Sequence, residues 1–155
     1  EMNLTANFSL HELTKSETAL RLNIDNTPGP VETEYLKILA ERVLQPIRDH
    51  FGKGVKVNSG FRSIETNQAT GGSSKSDHCK GQAADIEIPG VANADLAQWI
   101  MDNLDYTQLI LEFYTPGIPD SGWVHVSYDP ENLKKQELTA MKVAGKTQYV
   151  PGLVA

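Results

Sequence analysis

The chain has a single cysteine, Cys79, among its 155 residues, so no disulfide can form within it. That scarcity fits synthesis in a reducing compartment. Basic runs are also missing: 14 Lys and Arg stand against 20 Asp and Glu, a net charge of −6. A protein that grips nucleic acid by neutralising phosphates needs the opposite balance, and so does one held on a polyanionic membrane surface. No apolar stretch approaches the ~20 residues of a membrane-spanning helix, so no membrane insertion is expected. After Met2 comes polar Asn3-Leu4-Thr5-Ala6-Asn7, not the basic-then-apolar order of a secretory signal. With Met2 read as the initiator, Glu1 is an addition to the natural chain. A protein made in the cytoplasm in this way acts on an external target only after another agent releases it. Repeats, low-complexity tracts and long linkers are absent too, which excludes solenoids and separated domains.

Hydrophobic residues make up 39% of the chain and charged residues 22%, enough for a buried core. The length suits one domain, residues 2–155, with a core at about 8–130 and a C-terminal extension, 139–155, of unassigned role. Ser9 followed by Glu12 is a capping-box signal for a short helix near the start. Residues 23–30 carry Asn, Pro and Gly and read as a loop. Leu36, Leu39, Ala40, Val43, Leu44, Ile47 and Phe51 recur at three- and four-residue spacing, which predicts a helix over 31–51. Pro46 should kink that helix or end its regular part, and Gly52 and Gly54 stop it.

Residues 55–59 alternate as a strand. Gly60-Phe61-Arg62-Ser63 turns the chain into a short helix, and a Gly/Ser loop follows over 70–74. Asn93 reads as the N-cap of a helix running to Leu104. Residues 107–113 and 123–128 are two further strands, joined by a Pro/Gly loop at 114–122, and a short charged helix is expected after Pro130. Few crossover helices separate the strands. The expected class is therefore α+β: one domain with a small, mostly antiparallel sheet and flanking helices.

The chemistry concentrates in Ser76-Asp77-His78-Cys79-Lys80-Gly81-Gln82-Ala83-Ala84-Asp85. A loop carrying His78 runs into a strand carrying Asp85, and His125 lies on a later strand. A His-Asp-His set leaves one position open at a zinc ion, the pattern of a catalytic site. Other roles are open to the same residues. Asp85 suits a buried carboxylate paired with Arg62, and His125, between two valines, suits a satisfied sheet histidine. Cys79 neighbours His78 and should point away from it. His11 reads as a surface residue, and His50 as a cation against a helix C-terminus. Gln108, Ile110 and Glu112 share one strand face, and Trp123, His125 and Ser127 another, so Glu112 and His125 meet on one side if the strands pair as a hairpin.

Ser76-x-His78-x-x-Gly81-x-Ala83-x-Asp85 followed by Trp123-Val124-His125 resembles the zinc D-Ala-D-Ala carboxypeptidase family. That family includes the L-alanyl-D-glutamate peptidases of phage endolysins, and its fold is shared with the hedgehog signalling domain. Ser59-Gly60-Phe61-Arg62-Ser63 is similar to the family's Ser-Gly-x-Arg turn. The segments 8–13 and 31–51 are similar to its phage and prophage branch.

The resemblance implies a zinc metallopeptidase of peptidoglycan stem peptides, with Zn²⁺ held by His78, Asp85 and His125. It implies Arg62 as a group for a substrate carboxylate or the oxyanion, with Ser76 and Trp123 touching substrate. Zinc chemistry also requires a carboxylate that moves the proton of water to the leaving amine. Family members often carry that acid three residues before the second histidine, where this chain has Gly122. Two candidates remain, Glu112 on the neighbouring strand and Asp120 in the loop. The expected setting is a monomeric phage or prophage lysin acting on the wall after release, or a part of a phage particle. The alternative is a non-catalytic, zinc-containing wall-binding module of the same fold.

Overall fold

The computed structural model describes residues 2–155. A two-stranded ladder, β1 (Asn3–Thr5) with β2 (Phe8–Ser9), opens the chain and leads into α1 (Leu10–Thr14). The capping box is formed: Ser9 Oγ accepts from the Glu12 N–H, and Glu12 Oε1 accepts from the Ser9 N–H. A second short helix, α2 (Glu17–Leu22), follows, closed by Asn23 at φ 55°.

The long amphipathic stretch is one continuous rod in three parts. α3 (Pro30–Leu39) passes through a π-helical turn (Ala40–Leu44) into α4 (Gln45–Phe51), and Gly52 at φ 65° ends it. Pro46 has no N–H to give the ladder. The wide turn before it, in which the Gln45 N–H reaches Ala40 O, takes up the register change without breaking the rod. Leu36, Leu39, Val43, Leu44 and Ile47 on its inner face are fully buried. Each such side chain contributes roughly 1.5–3 kcal/mol relative to exposure.

A six-stranded sheet packs on this rod. Its strands are β3 (Lys56–Ser59), β4 (Ala83–Glu87), β5 (Gln108–Glu112), β6 (Trp123–Ser127), β7 (Gln136–Val143) and β8 (Lys146–Pro151). They lie in the order β3-β4-β6-β5-β7-β8, and every pairing is antiparallel except β5 with β7. The molecule is thus α+β with a mostly antiparallel sheet and flanking helices, as the sequence predicts. Strand alternation sorts the sheet into two faces. Ala84, Ile86, Leu109, Leu111, Val124 and Val126 enter the core with the rod and with α6 (Asn93–Asn103). Asp85, Ile110, Glu112, Trp123 and His125, one position out of phase, belong to the opposite face.

Two expectations need correction, and one unassigned segment finds its place. Asn93 is the first residue of α6, and its side chain does not cap the helix. Its amide instead donates to Ser121 O at 3.0 Å, Gly122 O at 3.2 Å and Glu87 Oε1 at 3.3 Å, tying the loop before β6 to the helix. No helix follows Pro130. The Lys135 and Gln136 N–H groups bond to Tyr106 O and Thr107 O, and Thr107 Oγ1 donates to Asn132 O, so this segment is drawn out around the start of β5. The unassigned C-terminal residues form the β7–β8 hairpin at one edge of the sheet.

Candidate metal centre

His78 stands on a 3₁₀ turn (Asp77–Lys80) capped by Ser76, whose Oγ accepts from the His78 N–H at 3.2 Å. The ring is 3% exposed, and its Nδ1 lies 2.7 Å from Gly60 O. A carbonyl only accepts, so Nδ1 carries a proton, and Nε2 is the nitrogen that faces Asp85 and is left to take a metal. Gly60 has no room for a side chain: a Cβ there would stand 2.3 Å from Leu13 O. The turn at 59–62 is wedged between α1 and the His78 loop, with the Phe61 N–H on Leu13 O and the Arg62 N–H on His78 O.

Asp85 sits in mid-β4, in register with His125 on β6. His78 Nε2 is 3.4 Å from Asp85 Oδ2, and His125 Nδ1 is 2.9 Å from Asp85 Oδ1. One donor atom from each of the three residues falls within 4.8 Å of the others. Burial opposes charge on Asp85, but hydrogen bonds and charge from His125 and His78 outweigh it and hold its carboxyl well below the usual range. Burial likewise pushes His125 down, and Asp85 more than reverses this, so its pKa is raised. Two imidazoles converging on one carboxylate, with one ring oriented from behind by a carbonyl, are the donor chemistry of a divalent metal site. The set fits a zinc ion.

Glu112 pairs with Trp123, and Ile110 with His125, so Glu112 is the diagonal neighbour of His125 on the same sheet face. Trp123 Nε1 donates to Glu112 Oε2 at 2.8 Å. Burial, then the charge of Asp85, raises the pKa of Glu112. Glu112, the three metal-ligand candidates, Arg62, Ser76 and Trp123 all line one open cleft of about 740 Å³. Asp120 is exposed on the loop and is not among the cleft residues. Position 122 is closed to any acid: Gly122 has φ 65°, and a Cβ there would lie 1.9 Å from Glu112 O.

Arg62 is in no ion pair among the described residues, and its Nε is buried without a partner. Thus Asp85 does not serve it as a counterion. Arg62 and Thr70 also line a second groove with His11, Lys15 and Lys56, so the cleft continues past the guanidinium. Cys79 lines a separate hollow with Glu32 and Tyr35. His11 is exposed, and His50 stacks on Trp99 with ring centroids 4.5 Å apart.

Two features of the cleft escape the sequence patterns. The Trp123–Glu112 hydrogen bond depends on strand register, which spacing alone does not set. Thr147 and Tyr149 of β8 line the cleft as well, from a hairpin with no strong turn signature.

No curated protein matches the chain. The family model described as peptidase M15 matches residues 6–127, which include α1, the Arg62 turn, the His78 loop and strands β3 to β6. Spanning most of the chain, with His78, Asp85, His125, Glu112 and Arg62 all inside it, that match places the protein in the peptidase M15 family.

Proposed function

We propose that this peptidase is a zinc enzyme that hydrolyses a peptide bond in peptidoglycan stem peptides, either L-Ala-D-Glu or D-Ala-D-Ala, as a monomeric phage or prophage endolysin. The observation that carries the reading is one cleft holding the His78, Asp85 and His125 donors together with an oriented carboxylate, Glu112, and an unpaired guanidinium, Arg62. Zinc, when bound by the three donors, supplies Lewis acidity toward the scissile carbonyl and toward water.

The protein's own groups do the rest. Gly60 O fixes the His78 ring, so its Nε2 needs no reorganisation. Glu112 takes the proton from the attacking water at its free oxygen and returns it to the leaving nitrogen. Its raised pKa favours that return. The Trp123 N–H holds the other oxygen. Arg62, which lines the cleft and has no counterion among the described residues, receives a substrate carboxylate and so places the scissile bond over the metal site. Ser76 lines the entrance while bracing the His78 loop.

A non-catalytic module of this fold would have no use for a carboxylate desolvated beside the metal site. Of the two candidate bases, the half-buried Glu112 in the cleft suits the role better than the exposed Asp120. Among the described residues no helix is long and apolar enough to cross a membrane, which is compatible with action on the wall after release. The test is zinc content together with release of new amino termini or of free D-alanine from purified sacculi. About one zinc per chain with release that stops on chelation supports the reading, and zinc binding without any release overturns it.

A further inference from the structure

Resting on the peptidase reading, we propose that the β7–β8 hairpin forms the second wall of the substrate cleft and that Tyr149 is a positioning residue there, holding the peptide on the side opposite Arg62. The hairpin lies wholly beyond the residues that match the family model, yet it belongs to the same sheet. β7 runs parallel to β5 with Glu112 beside Ala140, and β8 returns with Tyr149 beside Ala140. With Trp123 beside Glu112, one row crosses four strands: Trp123, Glu112, Ala140, Tyr149. Side chains in such a row share a face.

Between Glu112 and Tyr149 stands only the methyl group of Ala140, which is 1% exposed and not part of the cleft lining, so the carboxylate and the phenol flank the same narrow row position. Tyr149 and Thr147 line the cleft that contains His78, Asp85 and His125, and Tyr149 is 52% exposed. Burial raises the Tyr149 pKa and the negative charge of Glu112 adds to the rise, in agreement with their shared row.

The hairpin is also held in place. Lys142 Nζ stands 5.5 Å from the Phe113 ring centroid and donates to Thr147 Oγ1 at 3.2 Å. Thr139 Oγ1 donates to Gly152 O, and Tyr106 donates to Glu137 at the base of β7. These contacts fix β8 as a wall.

The span suits an extended peptide. Arg62 follows β3 at one edge of the sheet, and Tyr149 lies on β8 at the other. Five interstrand steps make about 24 Å, roughly the length of seven extended residues. Substrate lying across the strands therefore meets Arg62 at one end, the metal site and Glu112 in the middle, and Tyr149 at the other end. A phenol and a threonine hydroxyl suit the carbonyls and carboxylates of such a peptide.

The experiment uses the full chain and muropeptides released from purified sacculi. Amide resonances of the metal-free wild type are followed during muropeptide titration, and kcat and KM of the zinc-loaded protein are measured for wild type, Tyr149→Ala and Tyr149→Phe. Shifts at residues 147–149 are expected, with KM and the binding constant weakened about five- to twentyfold in Tyr149→Ala. Tyr149→Phe should recover part of that loss, and zinc content should stay constant. A wild type that cuts and binds while residues 147–149 do not shift, or a Tyr149→Ala protein with unchanged KM, overturns the hairpin proposal alone. A wild type that neither binds nor cuts overturns the peptidase reading with it.

Discussion

Trp123 and Glu112 are opposite each other on β6 and β5, and the indole N–H donates to the carboxylate at 2.8 Å. The bond fixes one carboxylate oxygen and leaves the other for water and substrate. It also lowers the pKa of Glu112 against the larger effect of burial, which raises it. Trp123→Phe keeps a ring and removes the donor. kcat/KM should fall by about ten- to a hundredfold, in keeping with one lost hydrogen bond to a charged group. The acidic limb of the pH profile should move to higher pH, because a pKa-lowering contact is gone. An unmoved limb would show that Glu112 is not the group titrating there.

Glu112→Gln should keep zinc and fold but lose about 10²- to 10⁴-fold in kcat, the usual contribution of a general acid–base group. The same variant carries a stability signature. A carboxyl whose folded pKa is raised above its unfolded value binds protons more readily when folded. Its ionisation therefore costs stability as pH rises through the interval between the two values. In the metal-free protein, Glu112→Gln should melt above the wild type at pH 7, and the gap should close toward pH 4. Thermal melts across that range check it.

Gly122→Asp would restore an acid at the position many relatives use. Here it should fail, because φ is 65° and the new Cβ would stand 1.9 Å from Glu112 O. A left-handed non-glycine residue alone costs roughly 1–2 kcal/mol, and relief of the clash must displace β5. Urea unfolding should show a lower midpoint, and Gly122→Asp combined with Glu112→Gln should recover no activity.

His78→Ala and His125→Ala should stay folded without zinc while losing metal and activity. The fully buried rod residues and the sheet's apolar face do not depend on the metal site. Cooperative unfolding of both variants checks this. For the wild type, a proton on His125 competes with metal, and its pKa is raised. Zinc affinity should therefore fall with decreasing pH, by about tenfold per unit for each proton displaced. Titrations at three pH values measure the slope.

Some of this site was legible in the sequence because the chemistry is local. The seven-residue step from His78 to Asp85 crosses one turn into one strand, and strand alternation then puts Glu112 and His125 on one face. Other parts depend on long-range partners. Asn93 looks like a cap in sequence, but Ser121 and Gly122, distant along the chain, compete for its amide. The 131–135 segment looks helical by composition, but Tyr106 and Thr107 offer its backbone better partners. The β7–β8 turn uses Ala144 at φ 50° and Gly145 at φ 79°. Both angles suit a tight hairpin, but alanine in place of asparagine removes the usual signal. The exposed β8 has no core face to impose a strong alternation.

The most direct test of the central claim is mass spectrometry of peptidoglycan fragments after digestion with zinc-loaded and with chelated protein. The account predicts new stem-peptide termini from the zinc-loaded protein alone, from a single type of bond, and none from zinc-loaded Glu112→Gln. Intact stem peptides after digestion by a fully zinc-loaded wild type would contradict it.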